Sequence, residues 1–283
     1  MRYRLLPAWH ISVRPGSWMG RLLAALLLVP AAAWAQPEPL RLFGAGSLRE
    51  VLTEIAAAYT RETGRPVQTA FGFSGLMRER IERGEGADLF ASADMGHPQR
   101  LLQDGRARRV VLFTRNALCL VAPGGTGLTE SAAVDRLMDP ALPLGVFPAV
   151  QDPVGDYTLE LFRAVGAQHP GAEAALRARA IVINEAMVSR PLAQGEDWAG
   201  ALLRDGKVRM HVSYCSTARS RLAQQLPGLE IASLPGDISV GPAYGLAVLK
   251  DARQGADDLA LFILSADSQR RLGAFGFTPV TAP

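Results

Sequence analysis

The chain has 283 residues, of which 20% are charged, and its formal net charge is +3 at pH 7. Two cysteines in a chain of this length exclude a small scaffold held together by disulfides. The positive charge comes from the first 35 residues, which hold four of the 30 basic residues and no acidic one, leaving 26 basic against 27 acidic residues. The remainder is therefore not a basic protein, and its charge does not indicate nucleic-acid binding.

Residues 1–35 have the pattern of a secretory signal peptide. A basic start is followed by the apolar run Leu22–Val29, and Ala33-Trp34-Ala35 fits a cleavage site with small residues. The apolar run is too short to span a bilayer. We expect cleavage after about Ala35 and a periplasmic location for the mature protein, with Met19 as an alternative start.

After this segment, short β-type runs alternate with amphipathic stretches of helical length. The predicted strands are Leu40–Phe43, Pro66–Phe71, Ala87–Ala91, Leu118–Ala122, Leu144–Phe147, Val208–Tyr214 and Tyr244–Leu249. The predicted helices are Leu48–Thr63, Leu76–Glu82, Thr158–Val165, Ala172–Ala178 and Asp257–Leu264. The alternation predicts the α/β class, with mainly parallel sheets flanked by helices.

Two places have the character of crossings between domains, around Thr114–Leu118 and around Gly241–Tyr244. The block between them has strands and helices of its own. We therefore predict a first lobe from residues 36–116 plus 243–283, and a second lobe, residues 117–242, inserted into it.

Two serines stand where a predicted strand leads into a predicted helix. Ser47 follows Gly44-Ala45-Gly46, and Ser74 lies in Gly72-Phe73-Ser74-Gly75. A hydroxyl at the positive end of a helix, beside glycines that leave backbone N–H groups uncovered, suits a small oxyanion. Ordinary helix capping by serine is the alternative explanation for each.

A catalytic role for these serines is disfavoured. The nucleophile elbow of hydrolases requires Gly-x-Ser-x-Gly, and Leu76 stands where the second glycine would follow Ser74. None of the four histidines is placed convincingly as a partner base. We predict that the protein is not an enzyme and keep a secreted serine hydrolase as the least favoured alternative.

The remaining cysteines, Cys119 and Cys215, lie in apolar, strand-like surroundings. We interpret them as two buried free thiols, although the exported location also permits a disulfide. Tyr214 ends a predicted strand and is either a core residue or a further neutral donor facing the cleft.

Several segments together resemble the periplasmic molybdate-binding proteins of ABC transporters. The resemblance rests on the segments 40–48, 74–84, 87–94, 152–157 and 262–277, and its most specific part is Ala-Asp-Leu-Phe-Ala-Ser-Ala-Asp at 87–94. It covers nearly all of the mature chain, more loosely in the middle third.

The resemblance implies a two-lobed clamp that holds molybdate or tungstate in the cleft between its lobes. By position, Ser47 and Ser74 would contact the anion from the first lobe, Val154 would contribute a backbone amide, and Tyr214 a phenol. A further backbone contact would fall at Val188. Gln194–Lys207 is interpreted as an insertion, and Cys215-Ser216-Thr217 departs from the small residues that the family usually has there.

The predicted function is capture of a tetrahedral oxyanion, molybdate or tungstate, for an ABC importer. The partners are the anion and the membrane permease, with no nucleic acid, no cofactor, no directly coordinated metal and a monomeric state. Neutral donors would favour a fully deprotonated anion and disfavour hydrogen phosphate. The alternatives are another small anion, sulfate-like or organic, and ferric iron.

Overall fold

The computed structural model describes residues 38–192 and 196–280, so the predicted signal peptide lies outside the described residues. The strands are β1 (Leu40–Ala45), β2 (Val67–Gly72), β3 (Leu89–Ser92), β4 (Ala107–Arg115), β5 (Leu118–Ala122), β6 (Leu144–Val146), β7 (Ile181–Val182), β8 (Met210–Tyr214), β9 (Glu230–Ser233), β10 (Ala243–Leu249) and β11 (Thr278–Pro279). The helices are α1 (Arg49–Thr63), α2 (Ser74–Glu82), α3 (Gly96–Gln103), α4 (Ala133–Met138), α5 (Pro153–Gln168), α6 (Ala172–Arg179), α7 (Trp198–Arg204), α8 (Cys215–Thr217), α9 (Ala223–Gln225), α10 (Ala256–Leu264) and α11 (Ala266–Ala274). A π-helical stretch, Ala218–Leu222, joins α8 to α9, and short 3₁₀ turns occupy Gly46–Leu48 and Glu185–Met187.

The strands form two sheets. The first has the order β11-β4-β10-β3-β1-β2, and the second has the order β7-β6-β8-β5-β9. The first sheet takes its strands from both ends of the described chain, whereas the second takes them from the middle. We call each sheet with the helices packed on it a lobe.

The α/β class and the two-lobed arrangement are confirmed, but both sheets are mixed. In the first sheet β1 pairs in parallel with β2 and β3, while the pairings β3–β10, β10–β4 and β4–β11 are antiparallel. In the second sheet β6 pairs in parallel with β7 and β8, while β5 is antiparallel to β8 and β9. The expectation of mainly parallel sheets is wrong. The predicted strands β10 and β5 run antiparallel to β3 and β8, and the further antiparallel strands β4, β9 and β11 were not predicted.

Helix α1 shows how the predicted pattern becomes packing. Its apolar side chains recur at helical spacing, and they are buried against the first sheet: Val51, Leu52, Ile55, Ala58 and Tyr59. The helix ends at Gly64, whose φ of 73° is left-handed and whose N–H donates to the Thr60 carbonyl. The helix and its stop were both predicted.

The two chain crossings between the lobes lie side by side. The Asn116 N–H donates to the Pro242 carbonyl at 2.9 Å. The Asn116 side chain donates to Ser216 Oγ at 2.8 Å and to Tyr244 Oη at 3.1 Å. The ring of Tyr244 stacks edge to face on that of Tyr214, with centroids 5.6 Å apart. These contacts tie the crossing strands to the end of β8.

The interpretation of Cys119 and Cys215 as free thiols is wrong, since they form a disulfide. The antiparallel pairing of β5 with β8 places Cys119 opposite Ser213, and Cys215 begins α8 directly after β8 ends. The Cα atoms of the two cysteines are 4.9 Å apart, a separation suited to a disulfide. Sequence spacing alone could not reveal that register.

In the part of the chain that the structure describes, no helix combines the length and the apolar character that a membrane crossing requires.

Candidate functional site

A cavity of about 330 Å³ lies between the lobes, at the carboxyl ends of strands from both sheets. Ligands of open α/β sheets bind at this edge. The first lobe lines it with Ala45, Gly46, Ser47, Arg49, Gly72, Phe73 and Ala93. The second lobe lines it with Phe147, Asp152, Val154, Glu196, Asp197, Trp198, His211, Ser213, Tyr214, Thr217, Arg221 and Leu222.

Ser47 lines this cavity from the 3₁₀ turn after β1 and does not cap a helix. Its Oγ lies 3.0 Å from Tyr244 Oη. Because the Asn116 Nδ2 group donates to Tyr244 Oη, the tyrosine proton is left for Ser47. The hydroxyl hydrogen of Ser47 then remains available to a ligand.

Ser74 begins α2 and lies behind the cavity wall. Its side chain is 1% exposed, and its Oγ accepts the Ala93 N–H at 3.1 Å. Its neighbours Phe73 and Ala93 line the cavity, whereas Ser74 is not among the lining residues. The bond holds the chain after β3 against the start of α2, so this serine is not a simple cap.

Val154 lines the cavity at the start of α5, but its amide is already engaged. The Val154 N–H donates to Asp152 Oδ1 at 3.2 Å, so Asp152 caps the helix. Removal from water, followed by the nearby charges of other acids, raises the pKa of Asp152 to about 7. The Asp-Pro pair at 152–153 is a helix-start signal that could have pointed to this carboxyl.

Tyr214 and His211 extend from β8 into the cavity wall, and both are at least nine-tenths buried. Tyr214 Oη and His211 Nε2 have no hydrogen-bond partner of ordinary geometry among the described residues, and the hydroxyl of Tyr244 lies near that of Tyr214. His211 Nδ1 lies 3.1 Å from the Gly145 carbonyl, which only accepts, so Nδ1 carries the proton and Nε2 presents a lone pair in the neutral ring. Burial lowers the pKa of His211 and raises that of Tyr214 well above its ordinary value.

Val188, the remaining predicted contact, does not line the cavity. Its N–H donates to the Glu185 carbonyl at 3.0 Å, and its side chain packs against a buried apolar cluster that includes Ile183 and Leu202. Ser47, Val154 and Tyr214 are thus brought together, while Ser74 and Val188 stand outside the lining.

Two arginines that the sequence analysis did not single out supply positive charge. Arg221 is held by Glu50, by Asp197 at 3.3 Å and by the Gly46 carbonyl at 2.9 Å. Arg49 makes no ion pair among the described residues and lies over the ring of Phe71, 5.1 Å from its centroid. Burial, with the neighbouring Arg221 charge, lowers the pKa of Arg49. A free guanidinium at the cavity favours an anionic ligand.

An aromatic wall faces these charges. Phe73 of the first lobe contacts Phe147 and Trp198 of the second, with ring centroids 5.7 and 6.0 Å apart. Trp198 begins α7, inside the stretch interpreted as an insertion, and the preceding Asp197 caps that helix. This stretch therefore supplies part of the cavity.

The lobes also meet beside the cavity, where α2 begins. The Gly75 N–H donates to the Gln151 carbonyl at 3.0 Å. A Cβ on Gly75 would lie 2.7 Å from the Val150 carbonyl oxygen, so only glycine permits this approach. Val150 has a φ of 73°, a left-handed conformation that is costly for a β-branched residue. The contact between the lobes thus depends on a tight backbone approach here.

Neither predicted serine bonds to a histidine: Ser47 contacts Tyr244, and Ser74 contacts the Ala93 amide. Within residues 38–192 and 196–280, no group of three or more His, Cys, Asp or Glu side chains is arranged to hold a metal ion. The cavity is organised for hydrogen bonding and charge, with hydroxyls, arginines, carboxyl groups and the imidazole of His211.

The profile of the bacterial extracellular solute-binding protein family matches residues 40–278. The Pasteurella multocida protein PM1146 is 31% identical over 243 residues, covering 85% of this chain and 98% of that protein. The molybdate-binding protein ModA of Escherichia coli is 29% identical over 160 residues, covering 53% of this chain and 62% of ModA.

Two solved structures share the fold at low identity. The periplasmic molybdate-binding protein of Azotobacter vinelandii superposes with a TM-score of 0.68 at 16% identity, covering 86% of this chain and 99% of that one. The sulfate-binding protein SubI of Mycobacterium tuberculosis gives 0.68 at 15% identity, covering 86% and 87%.

Proposed function

This chain belongs to the bacterial extracellular solute-binding protein family, and we propose that it captures a tetrahedral oxyanion, molybdate or tungstate, in the periplasm. The bound anion is then delivered to the membrane permease of an ABC importer. The lobes, with boundaries at 36–116 plus 243–283 and at 117–242, close over the anion. The mature protein acts as a monomer and catalyses no reaction.

The observation that carries the proposal is the convergence of uncommitted donors on one cavity. Ser47 has a free hydroxyl hydrogen, Tyr214 Oη has no partner of ordinary geometry among the described residues, and Arg49 has no ion pair there. Two of these donors come from the first lobe and one from the second. An anion held between them bonds to both lobes and stabilises their closed arrangement.

The affinity of such a site for an anion follows from the number and strength of its hydrogen bonds. Each hydrogen bond to a charged partner contributes roughly 1.5–3 kcal/mol. About six of them suffice for sub-micromolar binding after the costs of closure and immobilisation are subtracted. Similarity to molybdate-binding proteins supports molybdate, and the shared fold of a sulfate-binding protein makes sulfate the necessary comparison.

A second candidate ligand is a small organic anion. The cavity volume of about 330 Å³ lies at the lower end of small-molecule sites and exceeds what one tetrahedral oxyanion fills. The aromatic wall of Phe73, Phe147 and Trp198 would contact an apolar body, which molybdate lacks.

Calorimetric titration of the exported protein tests the proposal. Molybdate or tungstate should bind with a dissociation constant below about 10 µM, an affinity of roughly 7 kcal/mol, and more tightly than sulfate. If neither binds while phosphorylated or hydroxylated organic acids do, the second candidate is correct. Stoichiometric labelling of Ser47 by a serine-reactive phosphonate would instead support a hydrolase.

A further inference from the structure

A carboxyl group stands where the resemblance to molybdate-binding proteins implies a free amide. Asp152 lines the cavity at the start of α5, a helix of 16 residues, and its Oδ1 accepts the Val154 N–H at 3.2 Å. The positive end of this helix is therefore occupied by an acid of the chain itself. An oxyanion entering the cavity meets that acid before it meets the amide.

Independent evidence marks the same cavity as a polar binding site with acceptors as well as donors. Tyr214 Oη and His211 Nε2 are buried in its wall without partners of ordinary geometry among the described residues. His211 Nε2 offers a lone pair because Nδ1 carries the proton toward the Gly145 carbonyl. The expectation that only neutral donors line the site is thus incomplete.

The charges that face Asp152 are mostly negative. Asp156 on its own helix, Asp197 at the start of α7 and Asp94 after β3 all act on it. Opposite them stand the two cavity arginines, Arg49 and Arg221, of which Arg221 is already paired with Glu50 and Asp197. Other titratable groups around the cavity are Glu196, which also lines it, and the buried His211 and Tyr214 of β8. Burial and the Asp152 charge raise the pKa of Tyr244, and burial and the Asp94 charge raise that of Tyr157. Loss of water around the carboxyl is the main cause that favours its neutral form, and the neighbouring acids add to it, so that the pKa of Asp152 is raised to about 7.

We infer that Asp152 determines the protonation state of the complex, with one proton held between its carboxyl and an oxygen of the bound anion. One carboxyl oxygen continues to accept the Val154 N–H, and the other faces the ligand oxygen across the shared proton. The inference rests on the proposed function, because it concerns how that same cavity holds an oxyanion.

The source of the proton depends on the anion. Molybdate, tungstate and sulfate carry none near neutral pH, so Asp152 must supply it, and binding takes up one proton once the free carboxyl is ionised. Above pH 7 the affinity should then fall about tenfold per pH unit, and at pH 8.5 it should be about 30-fold below its acidic plateau. Hydrogen phosphate brings its own proton and should show little of this loss.

Calorimetry of the exported protein with molybdate, in two buffers of different ionisation enthalpy, measures the proton number directly. We expect an uptake close to one at pH 8.5 and close to zero at pH 6. In the Asp152→Asn variant the asparagine still caps α5. Its side-chain NH₂ group donates a hydrogen bond to the anion without taking up a proton from solvent. The proton uptake and the pH dependence of the affinity should therefore both vanish. Asp237→Asn, which changes an exposed acid outside the cavity, should keep the uptake.

Binding of molybdate by the wild-type protein without proton uptake at pH 8.5 overturns the inference and leaves the proposed function intact. So does an uptake that His211→Gln abolishes and Asp152→Asn preserves. If no oxyanion binds between pH 5.5 and 8.5, the proposed function fails and the shared proton fails with it, and the pH dependence of unfolding then shows only whether the free protein holds a proton on Asp152.

The pH dependence of unfolding is measured without ligand. A folded-state pKa of about 7 lies above the unfolded value of about 3.9, so the folded protein keeps a proton that the unfolded chain has lost. The contribution of Asp152 to the free energy of unfolding is greatest below about pH 4 and decreases as the pH rises toward 7. Asp152→Asn should remove that part of the slope, and an unchanged slope would show that Asp152 holds no such proton.

Discussion

Arg221 donates two hydrogen bonds, each 2.9 Å long, to the two carboxylate oxygens of Glu50. Glu50 lies in α1 of the first lobe, and Arg221 lies in the π-helical stretch of the second. The same guanidinium reaches the Gly46 carbonyl beside Ser47. The planar guanidinium of Arg221 thus joins the two lobes at the edge of the cavity through a two-pronged contact with Glu50. Lysine cannot reproduce this geometry.

Arg221→Lys should weaken ligand binding, because lysine keeps the charge but loses the two-pronged contact. Glu50 is partly exposed, so we expect a loss of roughly 1–3 kcal/mol, or about 5- to 150-fold in affinity, mainly as faster dissociation. Stopped-flow binding measures the rates. The control is Arg271→Lys, which replaces a guanidinium that pairs through one nitrogen with Glu54, one turn further along α1 and outside the cavity. Equal effects of the two variants would contradict a role for Arg221 in closure.

Gly75→Ala should prevent the lobes from closing. The added Cβ would lie 2.7 and 2.9 Å from the carbonyl oxygens of Val150 and Gln151, which are backbone atoms and cannot rotate away. We expect affinity to fall at least tenfold, and small-angle scattering with ligand should show a more extended particle than the wild type. Gly273→Ala in α11, whose Cβ would meet only ordinary contacts with Pro279, should bind normally and should slightly stabilise its helix. If the lobes of Gly75→Ala close normally, the backbone around Val150 can shift to make room for the added methyl group.

Alanine substitutions at Ser47 and Ser74 should have different effects on affinity and stability. Ser47→Ala removes a donor to a charged ligand and should lower affinity by roughly 1–3 kcal/mol with little change in stability. Ser74→Ala leaves the buried Ala93 N–H without its acceptor, so unfolding should become easier by roughly 1–3 kcal/mol, with a smaller change in affinity. Thermal unfolding and titration distinguish the two outcomes. An affinity loss at Ser74 as large as that at Ser47 would place the Ser74 hydroxyl on the ligand.

Removal of the disulfide should destabilise the fold. Cys119 and Cys215 are 96 residues apart in sequence, so their link restricts a large part of the unfolded chain. Replacing both with serine should reduce the free energy of unfolding by roughly 2–5 kcal/mol. Tyr214 immediately precedes Cys215, so ligand affinity should also decline. Unfolding of the wild type with and without reductant measures the effect, and the reductant should leave the double variant unchanged. Equal stability of the wild type in both conditions would mean that the thiols are unpaired.

Much of the framework was predictable because it depends on local pattern. The apolar spacing in α1 and its glycine stop predict that helix, and the buried run Leu118–Ala122 is found as β5 with the predicted bounds. The position of Ser47 after a strand that ends at the sheet edge also follows from the sequence. Short edge strands such as β7 and β11 carry too few residues for a periodic signal, so they were missed.

The sequence by itself determined the α/β class, the main strands and helices, and a small set of polar residues at strand ends. Only the tertiary structure decided which of them share a cavity. Arg49, Arg221, Asp152 and His211 come from separate elements, and no spacing along the chain encodes their meeting. The same holds for the pairing of Cys119 with Cys215 and for the carboxyl at the start of α5. Local propensity reports what each segment becomes, whereas charge, burial and hydrogen bonding at a site depend on neighbours that are distant in sequence and set by the packing of the lobes.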